Sequence, residues 1–140
     1  MRVLILLPIL VIASACDPAQ GRYFGVAPPP SPRGDSSPTA AFVLVERILE
    51  GHGLKPWGPL ERAQNWRACY GLNTLKICEK AIDGEAQFEM IERGYFRPRS
   101  DSLRRELLDS LRARFGPDAV RECRRWQSGS DPSRDGCPPR

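Results

Sequence analysis

A two-residue turn between two segments of alternating apolar and polar residues constrains this fold most strongly. Asp83-Gly84 tolerates the positive φ angles of a tight turn, and residues 75–82 and 85–92 flank it. Pairing across the turn sets three pairs of residues opposite one another: Ala81 with Ala86, Glu79 with Phe88, and Ile77 with Met90. One face is then mainly apolar, while the other carries Lys80, Gln87 and Glu89. The pattern predicts an antiparallel β-hairpin with one face packed on a core.

The segment before the hairpin has the periodicity of a helix. Ser37 suits the N-cap, Pro38 suits the first helical position, and Gly51 and Gly53 mark the end. One face between them carries the apolar residues Ala41, Phe42, Val45, Ile48 and Leu49. Val43 and Leu44 widen that face, so a strand stays open as an alternative.

A second helix is predicted after Pro98, with Ser100 or Asp101 as its cap and Gly116 and Pro117 at its end. Its apolar stripe recurs every four residues, which places it on one side of a helix. The stripe consists of Leu103, Leu107, Leu111 and Phe115.

Two shorter segments complete the predicted fold. Residues 66–70 favour a short strand before the hairpin, with residues 71–73 as the turn, and residues 118–126 favour a strand over a helix. The resulting order is helix, two or three strands, helix, strand. This order predicts a small two-layer α+β domain over residues 39–127, in which about two helices pack on a sheet that contains the hairpin.

The chain has five cysteines, at positions 16, 69, 78, 123 and 137. The four after Cys16 suit two disulfides in an oxidising compartment, and three connectivities are open to them. The most local one pairs Cys69 with Cys78 and Cys123 with Cys137. Its second bond would tie the polar tail, residues 128–140, to the domain.

The first fifteen residues have the pattern of a bacterial export signal. Arg2 precedes an apolar run of about ten to thirteen residues, too short for a membrane-spanning helix, and small residues follow it. Ala13-Ser14-Ala15-Cys16 resembles the lipobox of bacterial lipoproteins, with Ala13 where leucine is usual.

The resemblance implies that Cys16 becomes the acylated first residue, holding the protein on an envelope membrane and facing the periplasm. It leaves the choice between inner and outer membrane open; Asp17 is the residue that favours inner-membrane retention in some enteric bacteria. Cleavage by ordinary signal peptidase after Ala15 is the alternative, and it would release a secreted protein.

Residues 16–38 are predicted to be a lipidated terminus followed by a proline-rich tether. Residues 17–38 contain six prolines and three glycines. Such a composition is typical of a semi-extended spacer without a core, which would hold the domain away from the membrane.

Basic residues concentrate in the second half of the domain, although the net charge is only +4. Residues 93–128 carry ten basic and five acidic side chains. Four of these arginines are candidates for binding an anionic envelope component: Arg97, Arg99, Arg104 and Arg105. A solvated helix surface is the alternative. The periplasmic compartment argues against nucleic acid as a partner.

The sequence contains no catalytic, metal or cofactor motif that stands out. His52 is the only histidine, and it lies between two glycines that favour a turn at a helix end. The hairpin carboxylates, at positions 79, 85, 89 and 92, are typical of a soluble strand surface. The cysteine spacing does not fit a zinc cluster.

These observations favour a non-catalytic envelope lipoprotein that binds another periplasmic or cell-wall component, as an accessory, inhibitor or immunity protein does. Candidate contact residues are Trp57 and the Tyr95-Phe96 pair beside Arg97, because aromatic and arginine side chains often dominate interfaces. The alternative is a periplasmic hydrolase of a glycan or ester. It would use the hairpin carboxylates or His52, and a pocket in which His52 lies beside an acidic residue would support it.

Overall fold

The hairpin forms with the predicted register in a computed structural model of the chain. The structure describes residues 19–27, 38–58, 66–94, 98–127 and 137–138. Its two hairpin strands are β4 (Leu75–Ile82) and β5 (Glu85–Arg93). Asp83 and Gly84 between them have φ angles of 49° and 78°. Positive φ at both residues matches the twist of a two-residue hairpin turn.

Four further strands extend the hairpin into one antiparallel sheet within the described residues. They are β1 (Ala19–Val26), β2 (Lys55–Pro56), β3 (Ala68–Leu72) and β6 (Val120–Gln127). The strand order is β2-β3-β4-β5-β1-β6. The register of β6 against β1 shifts between Arg22 and Phe24, which marks a β-bulge.

Two helices pack on one face of this sheet, so the predicted α+β class is confirmed. They are α1 (Thr39–Gly51) and α2 (Pro98–Phe115), and both bury an apolar stripe in the core. Phe88 lies at the centre, with Phe24 stacked on it at 5.0 Å between ring centres and Phe42 edge-on at 5.7 Å. Within the described residues, neither helix has the length and apolar character needed to cross a membrane.

The predicted spacer over residues 17–38 is wrong for residues 19–26, which form β1. This strand pairs with β5 on one side and β6 on the other, and Tyr23, Phe24 and Val26 are buried. The six prolines obscure it, because all of them lie outside the strand and dominate the composition of the segment. Without proline, residues 19–26 keep every backbone N–H that a central strand must donate.

Several predicted boundaries move by a few residues. Ser100 and Asp101 lie inside the first turn of α2 rather than capping it, because the helix already begins at Pro98. The turn before β4 is Asn73–Thr74, with Asn73 at a φ of 54°, whereas Gly71 belongs to β3. The strand predicted over residues 118–126 is confirmed as β6, and a helix rather than a strand is confirmed over α1. Ser37, the predicted cap of α1, lies outside the described residues.

Of the three connectivities open to the four cysteines, the most local one forms. Cys69–Cys78 joins β3 to β4 at directly opposed positions, with Cα atoms 4.0 Å apart. Cys123–Cys137 joins β6 to the described part of the tail, with Cα atoms 5.1 Å apart. Each bond restricts the unfolded chain and thereby stabilises the fold.

We expect Phe24→Ala to lower the free energy of unfolding by about 3 to 5 kcal/mol, because it removes a buried ring from the stack on Phe88. Urea denaturation of the oxidised protein measures the change. Val43→Ala is the matched control, since Val43 is 46% exposed on α1 and its loss should cost well under 1 kcal/mol. Equal, small effects of the two substitutions would show that β1 is not part of the folded domain.

Candidate functional site

The structure describes the side chains of two of the four arginines predicted to bind an anion. Arg104 forms an ion pair with Glu122 of β6 and is 19% exposed. Arg105 is exposed, and its Nε donates to the backbone oxygen of Asp101 at 3.4 Å. The side chains of Arg97 and Arg99 lie outside the described part of the chain, as does Cys16. The charge of Arg104 is therefore already balanced within the fold.

The hairpin carboxylates divide between the two faces of the sheet. Glu85 and Glu89 lie on the face away from the helices, and both are buried. Arg121 donates to Glu85 through Nε and Nη2, each at 3.0 Å, and the hydroxyl of Tyr23 donates to Glu89 at 2.7 Å. These contacts explain the two residues as cross-strand partners rather than as a catalytic pair.

Glu79 lies on the helix-facing side of β4, where it meets a carboxylate from α1. Glu79 is only 1% exposed, and Arg67 forms ion pairs with both Glu79 and Glu46 of α1, the latter at 2.8 Å. The guanidinium carbon of Arg67 also lies 4.7 Å from the ring centre of Phe42. One arginine thus bridges a helix and a strand through two carboxyl groups, and we call these three residues the Arg67 cluster.

The two carboxyl groups of the Arg67 cluster differ in proton affinity. Burial raises the pKa of Glu79 to about 7, and the charge of Glu46 adds to this while Arg67 opposes it. Burial also acts to raise the pKa of Glu46, but hydrogen bonds to Arg67, Glu79 and Tyr70 outweigh it and lower that pKa. Burial, followed by the hydrogen bond to Glu46, raises the pKa of Tyr70 to about 12. Below neutral pH, Glu79 therefore holds a proton beside an ionised Glu46.

His52 ends α1 and also lines a small cleft. Its Nε2 lies 2.7 Å from Oε2 of Glu106 on α2, and its backbone N–H donates to the oxygens of Ile48 and Leu49, each at 3.1 Å. The cleft has a volume of about 60 Å³. Its walls are formed by residues from α1, α2 and the β3–β5 region: His52, Leu54, Leu72, Asn73, Thr74, Leu75, Glu92 and Leu103. His52 therefore lies in the predicted turn, and it also has the acidic neighbour that would support the hydrolase alternative.

A third candidate surface lies on the sheet face away from the helices. The indole of Trp57 packs over Gly71 of β3, where an added Cβ would lie only 2.1 Å from its Cε3 atom. Trp57 is nevertheless 48% exposed. The Nζ of Lys80 lies 4.6 Å from the ring centre of Trp66, an arrangement typical of a cation–π contact. We call Trp57, Trp66 and Lys80 the tryptophan face.

Sequence reasoning missed several of these residues because their partners are distant in the chain. Glu46 and Arg67 carry no local motif, and Glu106 looks like any exposed helix residue. Gly71 does carry a signal, since glycine inside a strand often marks the close approach of another group. Within the described ranges, no three histidine, cysteine or acidic side chains are grouped so as to hold a metal ion.

The Arg67 cluster makes stability depend on pH. Because the pKa of Glu79 is raised from 4.5 to about 7, the folded state binds this proton more tightly than the unfolded chain does. The contribution of Glu79 to stability is therefore greatest below about pH 4.5 and is lost as pH rises to about 7. We expect the free energy of unfolding to fall by roughly 2 to 3 kcal/mol from this source.

Glu79→Gln should remove this fall in the free energy of unfolding with rising pH, because the neutral amide remains a donor toward Glu46 at every pH. Urea denaturation between pH 5 and pH 8 measures the slope. Glu50→Gln, at an exposed position of α1, is the control and should retain the wild-type slope. A Glu79→Gln variant with that same slope would contradict the raised pKa.

Comparison with known proteins adds no family to this description. No protein-family model matches the chain, and no curated protein matches it either. The chemistry of the residues themselves is thus the basis on which a function is inferred.

Proposed function

We propose that this protein is an exported bacterial lipoprotein, anchored in an envelope membrane by an acylated Cys16, whose periplasmic domain binds another envelope component without catalysis. The use of the cysteines carries the first half of the proposal. Two disulfides engage four of the five cysteines in the sequence, so Cys16 has no cysteine of its own chain left to pair with. A disulfide-bonded domain fits an oxidising compartment, and acylation gives the remaining sulfur a role.

The tryptophan face supports the binding half of the proposal. Trp57 keeps about half of its surface exposed while Gly71 supports its ring from below. A large aromatic side chain held in place loses little conformational freedom when a partner binds, which is why such residues often dominate interfaces. Lys80 beside Trp66 adds positive charge, which suits an anionic or mixed surface on a periplasmic protein or cell-wall component.

A hydrolase is the second candidate, and the cleft at His52 is the observation that favours it. Glu106 would orient the imidazole, as a carboxylate does in catalytic dyads. However, the cleft holds about 60 Å³, whereas sites for whole small-molecule substrates occupy roughly 300 to 1,000 Å³. A group of a few atoms fits this space, and a sugar ring does not. Hydrolysis of a nitrophenyl ester that is lost in His52→Gln would favour the enzyme over the binding module.

Acylation of Cys16 is tested by metabolic labelling in a bacterial host with an alkyne analogue of palmitate. We expect label on the wild-type chain that resists neutral hydroxylamine, because that reagent cleaves thioesters but leaves the oxygen esters of a diacylglyceryl thioether and an N-terminal amide intact. Cys16→Ser should abolish the label and release the protein from the membrane, since each buried methylene contributes about 0.8 kcal/mol to anchoring. An unlabelled wild-type chain, or a labelled Cys16→Ser chain, would contradict the proposed anchor.

Binding through the tryptophan face is tested with a photocrosslinking amino acid incorporated at Lys76 of the lipoprotein in its native envelope. Lys76 lies directly opposite Gly71 on the neighbouring strand. We expect a discrete adduct that Trp57→Ala reduces by about tenfold, since a central aromatic contact often contributes more than 1.4 kcal/mol.

Gly71→Ala should reduce the adduct as well, because its methyl group displaces the indole of Trp57. Val43→Ala, which alters an exposed residue of α1, is the matched control and should leave it unchanged. An adduct insensitive to both Trp57→Ala and Gly71→Ala would remove the tryptophan face from the proposal.

A further inference from the structure

The cleft beside His52 contains a buried carboxylate that the tryptophan face does not explain. Glu92 is only 7% exposed, and its Oε2 atom has no hydrogen-bond partner among the described residues. Arg22 lies on the adjacent strand and on the same face, yet its Nη2 atom lies 3.1 Å from a carboxylate oxygen of Asp101. A buried acceptor without a donor costs free energy, and a bound group with an N–H donor would offset that cost.

The walls of the cleft indicate what kind of ligand fits. Four leucines form its apolar part, and Glu92, His52, Asn73 and Thr74 supply the polar groups. The volume of about 60 Å³ leaves room for a few water-sized groups, at roughly 10 to 15 Å³ of such space each. A second carboxylate, Glu106, is 49% exposed and lies against His52. A small cation with N–H donors and a methylene stem matches these walls in charge, size and polarity.

The position of the cleft in the sheet points to the source of that cation. Glu92 lies opposite Gln20 in the pairing of β5 with β1. Gln20 follows Cys16 by only four residues in the sequence. Four residues span at most about 14 Å, so an acyl chain on Cys16 would hold this end of the sheet at the headgroup layer. Arg93, the next residue of β5, is exposed and places a positive charge at the same end.

We propose that this cleft binds the primary ammonium group of an ethanolamine headgroup in the membrane to which Cys16 is anchored. The ammonium donates to Oε2 of Glu92 and its adjoining methylene contacts the leucines, while the headgroup phosphate stays outside the cleft. A charge-assisted hydrogen bond satisfies the buried acceptor. This inference rests on the proposed anchor, and it assigns the domain a fixed orientation on the lipid surface.

Soluble headgroups test the site without a bilayer. Glycerophosphoethanolamine and glycerophosphocholine share a phosphate and a positive charge, but only the first has N–H donors. The probe is the mature protein as its bacterial host produces it, acylated or not, purified in detergent micelles without a histidine tag. Its single histidine, His52, then gives one imidazole Hε1 resonance to follow by NMR.

We expect a saturable shift of this resonance with glycerophosphoethanolamine and none with glycerophosphocholine. Glu92→Gln should weaken binding by about tenfold or more, because it removes the charged acceptor. Glu50→Gln, an exposed acidic residue in the last turn of α1, is the control and should bind as the wild type does. If Glu92→Gln fails to fold, Leu72→Phe replaces it, since the larger side chain fills the cleft and should abolish binding without changing any charge.

Three outcomes of the headgroup titration would overturn the inference, and a control amine gives a fourth. They are no saturable shift with glycerophosphoethanolamine, equal shifts with both headgroups, and undiminished binding in the folded variant. A shift with n-butylammonium but not with glycerophosphoethanolamine also overturns it, because the ammonium would then belong to a partner's side chain. Failure of the labelling experiment removes the anchor but leaves the headgroup titration readable, so the two proposals fail separately.

Discussion

The insertion of β1 between β5 and β6 is the constraint on which the rest of the domain depends. This strand contributes to both faces of the sheet, since Phe24 stacks on Phe88 while the hydroxyl of Tyr23 donates to Glu89 on the opposite side. Among the described strands, β6 pairs with β1 alone. The disulfide at Cys123 and the ion pair from Arg121 to Glu85 therefore depend on β1 being in place.

Charged residues within the fold mainly connect its elements. Arg67 joins α1 to β4, Arg104 joins α2 to β6, and His52 joins the end of α1 to Glu106 of α2. Exposed pairs of this kind contribute little stability, so the buried contact at Glu79 matters most among them. Glu79 and Glu92 each keep one buried Oε2 atom without a hydrogen bond among the described groups, but of the two only Glu79 also has an arginine partner there. That arginine separates a structural carboxylate from the candidate binding group on the same hairpin.

Local patterns predicted the hairpin and both helices, because turn chemistry and periodicity act over a few residues; they left the pairing of the four cysteines open. They failed where long-range contacts decide the outcome. Residues 19–26 look like part of a proline-rich spacer, and only their pairing with β5 and β6 reveals a central strand. The same reason applies to the site: His52 reads as a turn residue until α2 brings Glu106 to it, 54 positions away in sequence. Such contacts join residues that are far apart in the chain, so no short sequence pattern predicts them.

The two edge strands of the sheet are poorly suited to pairing with a further strand. One edge is β2, which consists of Lys55 and Pro56, and proline lacks the N–H group that a further strand would need. The opposite edge, β6, carries the bulge in its register against β1, which disturbs the regular spacing of backbone groups. Exposed strands invite proteins to aggregate edge to edge. Both margins of this sheet therefore resist pairing with the sheet of a second copy.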